Sequence, residues 1–158
     1  MLLSIKKFMQ TLDCPACLTT GQLEAPHPRI MFANSAFEEL TGYTLAELLF
    51  ESPRIFQGPQ TDRRVLDLLK NSLVQHRSFE GYTINYRKDG TPFGMGWLVS
   101  TVFDGGRPQY YLSMHQECSA AQLEWTLSQI RLQQEALKDW VAPSRQSGER
   151  NPPAAPPV

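Results

Sequence analysis

The 158-residue chain has no excess of either charge, no long hydrophobic run and too few cysteines for a disulfide scaffold, and each absence removes a class of function. Its 15 Lys and Arg residues against 16 Asp and Glu leave a formal charge of −1, and the longest basic clusters are the pairs Lys6-Lys7 and Arg63-Arg64. Nucleic acid recognition needs a basic face, so nucleic acid is not an expected partner. The first residues set Lys6 and Lys7 among Leu2, Ile5, Phe8 and Met9, which is not the order of a signal peptide. No segment approaches the roughly 20 apolar residues of a membrane span. The expectation is a cytoplasmic protein with no membrane partner.

Cysteine is scarce and odd in number: Cys14, Cys17 and Cys118. A Cys-x-x-Cys pair becomes a redox dithiol at a helix N-terminus, or half of a four-sulfur zinc site where a second pair exists. Cys14-Pro15-Ala16-Cys17 has neither context, because Leu18-Thr19-Thr20-Gly21 after it reads as a strand running into a turn. The expectation is a hinge cysteine followed by a buried strand cysteine; a zinc shared across a dimer is the alternative. The chain also lacks a Ser/His/Asp arrangement, a metal-ligand cluster, a nucleotide-hydrolysing motif and the motifs of a kinase or cyclase. It is not expected to be an enzyme.

What is present, at 41% hydrophobic and 20% charged residues, suits one globular domain with end segments. Residues 1–14 form a cap, with Leu2, Ile5, Met9 and Leu12 making one stripe on a helix over 2–12. Residues 15–118 form the body. Strands are expected near 17–21 and 29–33, then a helix capped by Asn34-Ser35, a second with Thr44 and Glu47 as a capping box, and a third over 61–73. Three strands follow, near 80–88, 91–103 and 107–117, joined at turns around Asp89-Gly90 and Asp104-Gly105-Gly106. Gly94-Met95-Gly96 reads as a bulge. Residues 119–141 form a C-terminal helix with a seam of Leu123, Leu127, Ile130, Gln134, Leu137 and Val141, which either pairs with a second copy as a homodimer or folds back over its own sheet. Residues 142–158 are a proline-rich, disordered tail. The implied class is α+β, a five-stranded antiparallel sheet with helices on one face and a pocket between them.

The stretch Ser52-Pro53-Arg54-Ile55-Phe56-Gln57-Gly58-Pro59-Gln60-Thr61-Asp62, with Asn34-Ser35-Ala36-Phe37, Leu40-Thr41-Gly42-Tyr43 and Asn85 to Phe93, resembles the LOV branch of the PAS superfamily. The likeness is to a short, effectorless LOV-like protein, and it implies the PAS fold. In that family the loop reads N-C-R-F-L-Q-G-P-x-T-D, and its cysteine attacks a bound flavin under blue light. Pro53 stands at the cysteine's position and has no nucleophilic atom, so the resemblance implies a protein lacking the adduct-forming cysteine.

The same resemblance implies a flavin site. Arg54 and Lys70 match the family's phosphate-binding arginines, and Gln57 and Asn85 match retained contacts to the flavin. Met95 stands for a second asparagine and His115 for the glutamine of the last strand. Ser52 replaces an asparagine, and Phe50 stands where glycine is common. A thioether cannot replace an amide's paired donor and acceptor, and each lost buried partner costs about 1–3 kcal/mol. Two readings therefore stand side by side. In one, FMN or another flavin binds and the protein is a redox or light sensor acting through flavin reduction without an adduct. In the other, Met95, Phe50 and His115 fill or reshape the pocket, no flavin is held, and the module scaffolds, or binds another small molecule, and acts through its terminal helices, with a second copy or a protein signalling partner as target. A haem would need an axial histidine, for which His115 is the candidate; His27 and His76 read as loop and helix-end residues facing solvent.

Overall fold

The computed structural model describes residues 1–24, 27–125 and 128. Its core element is a five-stranded antiparallel sheet in the order β2-β1-β5-β4-β3, built from β1 (Ala16–Thr20), β2 (Ile30–Ala33), β3 (Phe79–Tyr86), β4 (Pro92–Asp104) and β5 (Arg107–Glu117). The strands fall where β-branched and aromatic residues alternate with polar ones. Val99 pairs with Phe79 and Ser113, so β4 lies between β3 and β5. The expected α+β architecture is the one observed.

One face of the sheet carries α2 (Ser35–Thr41), α3 (Leu45–Leu48), a 3₁₀ turn (Pro53–Phe56) and α4 (Arg63–Val74). Each start is set by a side chain. Asn34 accepts from the Phe37 amide, Thr44 and Glu47 form the expected capping box, and Asp62 accepts from the Arg64 amide. Gly42 closes α2 in the left-handed conformation, where glycine carries no Cβ penalty. Between these helices and the sheet lies a core of Ile30, Phe37, Leu48, Phe56, Val65 and Leu73 against Phe79, Phe93 and Val99.

The opposite face of the sheet is covered by α1 (Leu2–Gln10). It buries Met9 on Ala16, Leu18 and Phe32, with Leu2, Ile5 and Leu12 beside them. The expected stripe is therefore the packing face. The helix stops two residues short of Leu12 because Thr11 turns back onto the Phe8 carbonyl with both its amide and its hydroxyl.

Two local expectations differ from what is seen. Gly94-Met95-Gly96 is not a bulge: β4 pairs through it without a shift, and the irregularity lies between Val102 and Phe103. The glycines admit close neighbours instead. A Cβ at Gly94 would lie 2.7 Å from the Cys118 carbonyl oxygen, and one at Gly96 would lie 2.6 Å from the Tyr82 ring. Phe50 does not fill the interior either; it is 65% exposed, with its backbone in the left-handed region at φ 65°. That backbone is the physical reason a glycine suits the position.

After β5, Ser119 caps a helix over residues 120–125 by accepting from the Gln122 amide. The seam positions Leu127, Ile130, Gln134, Leu137 and Val141 and the tail 142–158 lie outside the described residues. No helix among the described residues is long and apolar enough to cross a membrane.

Candidate functional site

A cavity of about 290 Å³ opens between the sheet and the helices, at the small end of the range for ligand sites. Every candidate residue from the sequence lines it: Arg54, Gln57, Lys70, Asn85, Met95 and His115. They arrive from separate elements. The 3₁₀ turn brings Arg54, its C-cap residue is Gln57, α4 brings Lys70, and β3, β4 and β5 bring Asn85, Met95 and His115.

Pro53 begins the 3₁₀ turn, at a position where the backbone amide has no helical partner to lose, and Ser52 supplies the cap by accepting from the Arg54 amide at 3.4 Å. The loop therefore keeps its shape with proline in it. Arg63, Asp67 and Lys70 share one face of α4 at helical spacing, and all three line the cavity with Arg54. Among the described residues, Arg54, Arg63 and Lys70 form no salt bridge, so the rim carries net positive charge.

The inner wall is polar at two points. Asn85 is 3% exposed; its Nδ2 donates to Met95 Sδ at 3.1 Å, and its Oδ1 is buried with no partner. His115 lies edge-on to Phe37, with centroids 4.9 Å apart, and its Nε2 is 2.8 Å from Ser113 Oγ. Its Nδ1 is likewise buried and unpartnered. Burial lowers the imidazole pKa to about 3, so the ring is neutral at physiological pH. With Nε2 engaged by Ser113 and the ring against Phe37, His115 is poorly placed as a haem ligand.

Sequence reasoning missed several parts of this wall. Cys17 on β1 faces the cavity, paired in register with Ser113 on β5, and burial pushes its thiol pKa up to about 12. Tyr111 and Ser113 precede His115 at strand spacing and share its face, a period-2 signal that could have found them. Arg63 adds a third cation. His27, expected in solvent, also lines the opening, with φ 66°. His76 is exposed against Phe103, as a helix-end residue should be. All three cysteines are free, Cys14 half-buried and Cys17 buried, in line with the hinge-and-strand expectation. No cluster of metal-binding side chains occurs among the described residues.

Chemically, such a site suits a flat heterocycle that meets Asn85 and His115 at one end and carries an anionic group toward the cations at the other. A flavin nucleotide has that form.

A model of the PAS domain family matches residues 16–117. The blue-light-activated histidine kinase of Brucella anthropi is 38% identical over 100 residues, 63% of this chain and 20% of that protein. Phototropin-1A of Oryza sativa subsp. japonica is 35% identical over 99 residues, 61% of this chain and 11% of that protein. The chain thus spans only between about a tenth and a fifth of the length of these relatives. Among solved structures, a light-oxygen-voltage domain studied with a flavin analogue matches with a TM-score of 0.73 at 27% identity, covering 82% of this chain and 96% of that one.

Proposed function

This chain belongs to the PAS domain family, and from there we propose that it is a LOV-type sensory module whose cavity holds a flavin, FMN foremost, without forming a cysteinyl adduct. One observation carries the choice of a ligand over an empty scaffold: Asn85 and His115 line the cavity, and Asn85 Oδ1 and His115 Nδ1 are buried without a partner. Buried polar atoms ordinarily find partners, and a pocket closed by its own side chains would have supplied them. A bound flavin supplies blue-light absorption and reversible reduction. Arg54, Arg63 and Lys70 hold the phosphate, and Gln57, Asn85 and His115 meet the ring and its side chain.

The absence of an adduct rests on Pro53 and on Cys17. Proline offers no nucleophile at the position where the family places its cysteine. Cys17 is the cavity's one sulfhydryl among the described residues, and burial keeps it a thiol rather than the reactive thiolate. Output then passes through the terminal helices to a second copy or a protein partner. α1, on which Leu3 and Phe8 are exposed, is one proposed surface, and the helix expected over 119–141 is the second. Acting this way, the module is a cytoplasmic, non-enzymatic sensor.

Blue-light difference spectroscopy of FMN-loaded protein tests the proposal. Wild type should show no dark-reversible, thiol-dependent bleaching, whereas Pro53→Cys should gain it. Failure to take up FMN, or such bleaching in wild type that disappears in Cys17→Ala, would contradict it.

A further inference from the structure

The chemical character of the two unpaired wall atoms is fixed by their neighbours. Met95 Sδ has no hydrogen to give, so the amide NH2 of Asn85 faces the sulfur and Oδ1 faces elsewhere. Ser113 has one hydroxyl hydrogen, and the Cys17 carbonyl oxygen 3.1 Å away can only accept it. With that hydrogen given to Cys17, the 2.8 Å contact between Ser113 Oγ and His115 Nε2 is donated by the ring. A neutral imidazole carries one N–H, which leaves Nδ1 as a bare lone pair. Both atoms are acceptors.

We infer that this cavity distinguishes the redox forms of a flavin, binding the dihydro ring more tightly than the oxidised ring. The inference rests on the flavin reading above and on a count of hydrogens. The oxidised ring has a single N–H, at N3, and its other polar atoms are acceptors. Adding two electrons and two protons places further N–H groups at N1 and N5. Against two wall acceptors the oxidised ring leaves one unpaired, whereas the dihydro ring can satisfy both. An unpaired buried acceptor corresponds to about a ten- to hundredfold loss of affinity.

The test is a reductive titration under nitrogen of the whole protein loaded with FMN, with dithionite as reductant and a mediator dye. The two-electron midpoint potential should lie above that of free FMN by roughly 30–60 mV, the equivalent of ten- to hundredfold tighter binding of the reduced form. His115→Gln brings an amide with its own donor and should shrink the shift. Ser113→Ala, which releases the ring to carry its hydrogen on either nitrogen, should shrink it with His115 still in place. The cations at the rim are common to all three proteins, so the differences report the wall alone. A bound potential equal to or below that of free FMN, or a shift unchanged in both variants, overturns the inference while leaving the flavin reading intact. Failure of FMN to bind in either redox form overturns both.

Discussion

Asn34 Nδ2 donates to the Cys14 carbonyl oxygen at 2.9 Å, and the same amide group reaches the carbonyls of Met9 and Leu12 at 3.2 and 3.4 Å. Its Oδ1 accepts from the Ala16 and Phe37 amides at 2.9 and 3.1 Å. One buried side chain thus ties the end of α1, the start of β1 and the first turn of α2. An exposed contact surface on α1 needs this anchor if movement there is to be coupled to the domain.

Asn34→Ala should destabilise the protein by about 2–4 kcal/mol, since it removes an N-cap and strands several buried backbone groups. Urea unfolding measures the total, and hydrogen exchange should show the α1 amides losing protection before the sheet. A loss below about 1 kcal/mol would mean that α1 is held by its apolar stripe alone.

Phe50→Gly should raise stability by about 0.5–1 kcal/mol. The left-handed backbone costs a non-glycine residue about 1–2 kcal/mol, and the gain is partly offset by the larger conformational entropy of glycine in the unfolded chain. Because the ring is exposed, no core packing is lost. Thermal denaturation of the variant checks the sign.

Acid should weaken the fold through His115. Its folded pKa, about 3, lies below its ordinary value of 6.5, so between these values the unfolded chain binds the proton more readily. Stability contributed by the neutral ring is full above the unfolded value and falls as pH drops toward 3, with a limiting slope of about 1.4 kcal/mol per pH unit. Ligand-free His115→Gln should therefore show a flatter stability profile between pH 6.5 and 4 than wild type. Parallel profiles would mean that the imidazole titrates freely.

The sheet, helix starts and caps were legible because they depend on local chemistry: alternation in the strands, Asn34, Thr44 and Asp62 before the helices, and Gly90 at the hairpin. The cavity's membership was legible through the family likeness, which pointed to Arg54, Gln57, Lys70, Asn85, Met95 and His115. What stayed hidden depends on contacts between distant segments. Cys17 and Ser113 are adjacent only because β1 pairs with β5, and that pairing sets the Ser113 hydroxyl between the Cys17 carbonyl and His115 Nε2. Phe50 was misplaced for a related reason. The family likeness set it at the ring site in one of the two readings, whereas backbone hydrogen bonds between Phe50 and Ile30 and between Ile30 and Glu51 direct the chain so that the ring faces solvent.

Titration of ligand-free protein with FMN, followed by quenching of the ligand's fluorescence, tests the central claim most directly. A saturable one-to-one complex with micromolar or tighter affinity is expected. It should weaken at least about tenfold when Arg54, Arg63 and Lys70 are each changed to Ala, and riboflavin, which has no phosphate, should be insensitive to those changes. No saturable binding by a well-folded protein, or FMN binding indifferent to all three cations, would contradict the account.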